Sequence, residues 1–143
     1  MAQAWKTIES VSTEEGLLEL RQRGEGDFLI TVGGHVLMNS MSNRSEVALG
    51  QLACEPLRDL PRPLVLIGGL GMGFTLRAVL DALPAAGRVV VAELNPVVVG
   101  WCRGPLAALT NNAAADARVE VEICDVAQQI RRYAKDDAVE KPD

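Results

Sequence analysis

A chain of 143 residues is enough for about one domain with its own core, without disulfide or metal staples. Hydrophobic residues make up 48% and aromatics only 3%, so the core is built from Ala, Val and Leu and platforms for stacked bases are scarce. The net charge of −5, with no basic cluster beyond Arg131-Arg132, argues against nucleic acid, no apolar run approaches the ~18 residues of a membrane span, and "MAQAWKTIES" lacks the basic and apolar regions of a secretory leader. A cytoplasmic protein with no nucleic-acid or membrane partner is therefore expected.

From Thr7 to about Ser40 the chain reads as short strands, "TIESVST", "LLELRQR", "FLITV" and "HVLMNS", broken at Gly16, "GEGD" and Gly33-Gly34. Leu18 and Leu20 alternate with Glu19 and Arg21, the pattern of a half-buried antiparallel meander. His35 reads as an exposed turn residue. Around Ser45 the period lengthens: Val47, Leu49, Leu52, Ala53 and Leu57 predict one apolar helix face, with Ser45 as N-cap, Glu46 in the first turn and Pro56, Pro61 and Pro63 ending it.

Strand and helix then alternate. "PLVLIGG" is an apolar strand, "GFTLRAVLDALP" a helix stopped by Pro84, and "GRVVVAEL" a second strand. "PVVVGWCRGPLAALTN" is a helix with Pro96 in its first turn and a kink at Gly104-Pro105, "ARVEVEICD" a third strand, and "VAQQIRRYA" begins a third helix of this series. Such alternation requires right-handed crossovers, hence a parallel sheet whose ligand-binding turns lie at the carboxyl ends of its strands. The expected fold is α/β: a Rossmann-like, incomplete parallel sheet of about three βα units (residues 44–135), preceded by a small antiparallel β meander (1–43) and followed by a polar, frayed tail (136–143).

Four glycines, at 68, 69, 71 and 73, interrupt the first of these strand-to-helix turns. Gly69, Gly71 and Gly73 tolerate positive φ and can present bare backbone N–H groups to a polar ligand; the other reading is tight packing alone. Their G-x-G-x-G spacing differs from the G-x-G-x-x-G of dinucleotide folds and points away from NAD. Glu93, 24 residues beyond Gly69, ends the second strand, where a carboxylate accepts from ribose hydroxyls or stands as a solvated charge. Asp125 closes the third strand, either as acceptor for an adenine amino group between Cys124 and Val126 or as N-cap of the next helix. Cys54, Cys102 and Cys124 are odd in number and lack C-x-x-C spacing, so buried reduced thiols are expected and no metal site.

With these motifs the sequence resembles the spermidine synthase-like family within the class I S-adenosylmethionine-dependent transferases. "VLIGGLGMGFTLRAVL" is similar to the family's glycine motif with its Leu-Arg pair, here Leu76-Arg77; "VVVAELNPVVVGWCR" resembles the strand with the ribose-binding acid, here Glu93; "RVEVEICDV" resembles the strand with the adenine-contacting Asp, here Asp125. The likeness runs over about residues 17 to 130 and includes the N-terminal β unit. It implies binding of S-adenosylmethionine or decarboxylated S-adenosylmethionine for aminopropyl or methyl transfer.

Of the acidic and tyrosine motifs of polyamine-forming members, "LMNSMSNRSEVALGQLAC" retains Glu46, which reaches the nucleotide pocket or serves as a first-turn helix carboxylate. The family's deprotonating aspartate follows a fourth strand, and the chain reaches Asp143 before any such strand, so catalytic residues are unassigned and the chain is expected to be C-terminally short. A complete small methyltransferase and a non-enzymatic dimeric interaction module with a vestigial nucleotide site are the alternatives. In the usual doubly wound order the first strand is central and the third lies on one edge, which leaves the other side of "PLVLIGG" bare. That predicts a homodimer formed by sheet-edge pairing or by exchange of the β meander.

Overall fold

The structure, a computed structural model, describes residues 3–140. The chain divides into two compact units with the boundary after Glu46. In the first, β1 (Lys6–Thr13), β2 (Gly16–Arg23), β3 (Asp27–Val32) and β4 (His35–Asn39) pair antiparallel in chain order. Leu18 and Leu20 are buried as their alternation predicts, and the register sets Leu20 opposite Ile30 and Gln22 opposite Phe28, so Ile30 and Phe28 join the same apolar face. The β3–β4 turn is closed by Gly33 and Gly34 at φ 56° and 81°, the left-handed pair a two-residue hairpin loop needs. His35 opens β4 and is exposed.

The second unit is a parallel sheet in the order β5 (Leu64–Gly68), β6 (Arg88–Glu93), β7 (Val119–Ile123), with α2 (Phe74–Ala82), α3 (Pro96–Arg103) and α4 (Val126–Glu140) following the strands in turn. In a three-stranded sheet the centre passes to the second strand, and β5, central in a full doubly wound sheet, becomes an edge. Burial follows position. Val89, Val90, Val91 and Ala92 of β6 are all at most 3% exposed, as a strand covered on both faces must be, whereas Leu64 of β5 is 48% exposed. Leu83, extended at φ −79° and ψ 149°, ends α2 ahead of Pro84.

Two sequence expectations are corrected. α1 (Arg44–Cys54) begins one residue before Ser45, whose hydroxyl donates to the Glu46 carboxylate at 3.0 Å instead of capping the helix. Its predicted apolar face is outward: Leu49 and Leu52 are 61% and 64% exposed, and the buried residues are Gly50 and Cys54. Gly50 allows α1 to close on α2, since a Cβ there would lie 2.8 Å from Ala78 Cβ and 3.0 Å from the Thr75 carbonyl oxygen. Gly50→Ala is expected to destabilise the chain by about 1–3 kcal/mol despite the roughly 1 kcal/mol gain in helix propensity, because one clashing neighbour is backbone. The urea midpoint reads this, and an unchanged midpoint would mean that α1 yields freely.

The second correction is at Gly104-Pro105, where α3 ends at Arg103 instead of kinking; Gly104, at φ −119° and ψ −107°, leaves the helix and a separate 3-10 turn follows at Ala107–Thr110. Of the expected tail, residues 136–140 belong to α4, which continues to Glu140, and positions 141–143 lie outside the described residues.

Ahead of β7, Arg118 donates to the Leu80 carbonyl at 3.0 Å and, through Nε at 3.2 Å, to Asp116. Hydrogen bonds from Arg118 hold the Asp116 carboxyl below the usual carboxylate range. A lowered folded pKa contributes stability above the unfolded value and loses it as pH falls through the folded one. The destabilisation caused by Arg118→Met should therefore be larger at pH 6 than near pH 2, as read by denaturation at both; a pH-independent difference would contradict the pairing.

Candidate functional site

Glu93 ends the central strand and is 9% exposed, so its carboxylate needs partners to be tolerated there. It has two from neighbouring turns: Leu70 N–H donates to Oε1 at 2.9 Å and Asn95 N–H to Oε2 at 2.8 Å. One side chain thus ties the β5–α2 turn to the β6–α3 turn. A carboxylate has about four lone-pair sites, so both oxygens keep capacity to accept from a ligand. Asn95 caps α3 by accepting from Val97 N–H at 2.9 Å, ahead of Pro96 in the first turn as predicted.

Gly69, Gly71 and Gly73 sit at φ 85°, 57° and 88°, left-handed conformations that favour glycine. Their N–H groups differ from the expected bare donors: Gly69 N–H is bonded to the Ala92 carbonyl at 2.8 Å and Gly73 N–H to the Leu70 carbonyl at 2.9 Å. The N–H groups of Gly71 and Met72 have no partner among the described residues. Gly69 faces open space, with no atom within 4 Å of an added Cβ. Gly68 is a packing glycine: a Cβ there would lie 3.0 Å from Val126 Cγ2. Within the cluster, Gly68 thus serves packing, while Gly71 keeps the bare N–H.

Asp125 is exposed and caps α4, accepting from Ala127 N–H at 2.8 Å. Beside it, Cys124 N–H donates to the Glu93 carbonyl at 3.1 Å, which aligns the ends of β6 and β7. Glu46 lies in the first unit, where its carboxylate accepts from the Ser45 hydroxyl at 3.0 Å. Val126, the other residue expected to flank an adenine, is half-buried and packs over Gly68. The residues that sequence reasoning passed over are Leu94 and Ile123, apolar side chains 72% and 52% exposed at the carboxyl ends of β6 and β7. A leucine directly after the strand's terminal acid was the available signal.

Of the cysteines, Cys54 and Cys102 are buried as expected and Cys124 is half-buried; all three are free thiols. Cys102 on α3 donates its S–H to the Gly71 carbonyl at 3.1 Å. Burial, reinforced by the Glu93 charge and opposed by Arg103, pushes the Cys102 thiol up to about 12. No helix among the described residues is long and apolar enough to cross a membrane.

No protein-family model matches the chain. A curated polyamine aminopropyltransferase of Clostridium tetani (strain Massachusetts / E88) is 35% identical over 79 residues, which cover 54% of this chain and 28% of that protein. The crystal structure of spermidine synthase from Thermotoga maritima matches at TM-score 0.70 and 21% identity over 89% of this chain and 44% of its own. A spermidine synthase in complex with the transition state analogue AdoDATO matches at TM-score 0.69 and 22% identity, over 89% and 43% of the two chains. The chain thus matches less than half the length of each of these proteins. The spermidine synthase-like resemblance holds in sequence through the curated relative and in fold through both structures, and the α/β architecture with its preceding antiparallel sheet is the one they share.

Proposed function

We propose that the nucleotide-binding part of this chain, residues 44–135, binds S-adenosylmethionine or its decarboxylated form at the carboxyl ends of β5, β6 and β7, as the adenosyl-binding portion of an aminopropyl- or methyltransferase. The observation that carries the reading is Glu93: a buried carboxylate at the tip of the central strand, fixed by two backbone donors beside a left-handed glycine turn. In this reading Glu93 accepts from the ribose hydroxyls and the Gly71 N–H faces the ligand. Asp125 accepts from the adenine amino group with the carboxylate capacity its cap leaves, and Leu94 and Ile123 offer apolar surface to the base. Glu46 is a further candidate contact. The ligand's sulfonium makes an adjacent carbon open to attack by an amine or other nucleophile. This chain's residues bind and orient; the group transferred, the acceptor and the base that takes its proton are not assigned to any of them.

Calorimetry with S-adenosylmethionine, its decarboxylated form, 5′-methylthioadenosine and NAD tests the reading. At least one adenosyl sulfur compound should bind with 1:1 stoichiometry and NAD should not; binding of NAD alone, or of none, would contradict it.

A second reading, a dimeric interaction module, is favoured by the open edge of β5. The bonds from Arg88 N–H to the Pro63 carbonyl and from Gly69 N–H to the Ala92 carbonyl fix which residues face β6. By the alternation of a parallel ladder, the N–H and C=O groups of Leu64, Leu66 and Gly68 point the other way. Two copies related by a two-fold axis through Leu66 would pair these groups antiparallel, Leu64 against Gly68, with no charged residue in the strand to oppose it. An unpaired edge of this kind is a ready template for pairing with another chain. Light scattering on the eluting peak near micromolar concentration should give about twice 15.3 kDa, and a stable monomer would remove the proposal.

A further inference from the structure

Cys102 is a residue the binding reading leaves unused, and its placement connects it to that site. It projects from α3, is 3% exposed, and its thiol is within 3.1 Å of the Gly71 carbonyl oxygen. The preceding residue of the turn, Leu70, is held from the other side by Glu93 Oε1. Two consecutive residues of the glycine turn are thus tied to β6 and α3 by side chains, one through its N–H and the next through its C=O. Gly71 is also the residue whose own N–H has no partner among the described residues. At φ 57° Gly71 has no side chain of its own to hold that conformation, so beside the buried side chains of Leu70 and Met72 its geometry rests on what grips its peptide groups.

We propose that Cys102 is a positioning residue for the adenosyl site: by donating its S–H to the Gly71 carbonyl it fixes the orientation of the glycine turn that the ligand meets. The inference rests on the proposed binding function for its effect on affinity, and on geometry alone for its effect on the turn. The role requires a protonated thiol, because a thiolate has no hydrogen to donate and would oppose the carbonyl oxygen. Burial and the nearby Glu93 charge keep the proton in place across ordinary pH. The inward position also makes the thiol a poor nucleophile, which suits a structural donor rather than a reacting group.

The test compares Cys102→Ala, which removes the donor, with Cys102→Ser, which keeps one in a smaller side chain. Amide hydrogen exchange in the ligand-free protein reads the turn directly through Leu70 and Gly73, whose N–H groups are bonded in the structure. Exchange at these two amides should quicken about three- to tenfold in Cys102→Ala, the loss expected for one modest hydrogen bond, and return towards wild type in Cys102→Ser. Affinity for the tightest-binding adenosyl compound should fall by a similar factor in the alanine variant and recover in the serine variant. Alanine-variant exchange equal to wild type, or a serine variant as perturbed as alanine, would overturn the positioning role. If the wild type binds no adenosyl compound, the binding function fails, while the exchange comparison still decides whether Cys102 fixes the turn.

Discussion

Glu93→Ala is expected to weaken binding of an adenosyl ligand by about 1.5–3 kcal/mol, roughly 10- to 150-fold, the loss of charge-assisted hydrogen bonds to two ribose hydroxyls. The structure adds a second effect. Both carboxylate oxygens already accept backbone N–H groups, from Leu70 and Asn95, so the alanine leaves two donors unpaired where they are buried or partly buried. Each such donor costs about 1–3 kcal/mol. The fold should therefore lose stability as well, and the affinity loss must be measured on protein shown by circular dichroism to be folded. A folded variant with unchanged affinity would remove Glu93 from the site; unchanged stability would mean that its two backbone bonds do not form in solution.

The second large effect is expected for Gly71→Val. The residue sits at φ 57°, where an L side chain costs about 1–2 kcal/mol and a β-branched one more. Relieving that strain rotates the two peptide groups flanking Gly71, one carrying the carbonyl that Cys102 grips and the other the N–H proposed to face the ligand. Adenosyl binding should be lost altogether and the melting temperature should fall. Normal binding by Gly71→Val would mean that the turn does not cradle a ligand.

These two residues show what was legible in the sequence. A glycine cluster between an apolar strand and a helical repeat marks a turn with positive φ, and an acid ending the next strand falls beside it because parallel strands in register bring their carboxyl ends together. The meander was readable for a similar reason, since period-two alternation and paired glycines are local signals. The face of α1 was not. Gly50 was not part of the predicted stripe, yet it is what lets α1 close on α2, leaving Leu49 and Leu52 outward. Nothing local distinguishes a glycine that permits close approach from one that merely weakens a helix. The grip of Cys102 on Gly71 was hidden likewise, because it joins residues 31 apart whose meeting depends on how α3 packs. Of the expected donors, Gly69 turned out to be satisfied by the Ala92 carbonyl of β6 and Gly73 by the Leu70 carbonyl within the turn, a consequence of hydrogen-bond geometry that composition does not carry.

The central claim is that an adenosyl ligand binds where β5, β6 and β7 end. Amide chemical-shift mapping of the isotope-labelled chain with 5′-methylthioadenosine tests it most directly, because this compound carries the adenosyl and sulfur parts without the variable group. The account predicts saturable shifts concentrated at Leu70, Gly71, Asn95, Cys124 and Ala127, absent in folded Glu93→Ala. Shifts confined to β1 through β4, or no shifts at millimolar ligand, would contradict it.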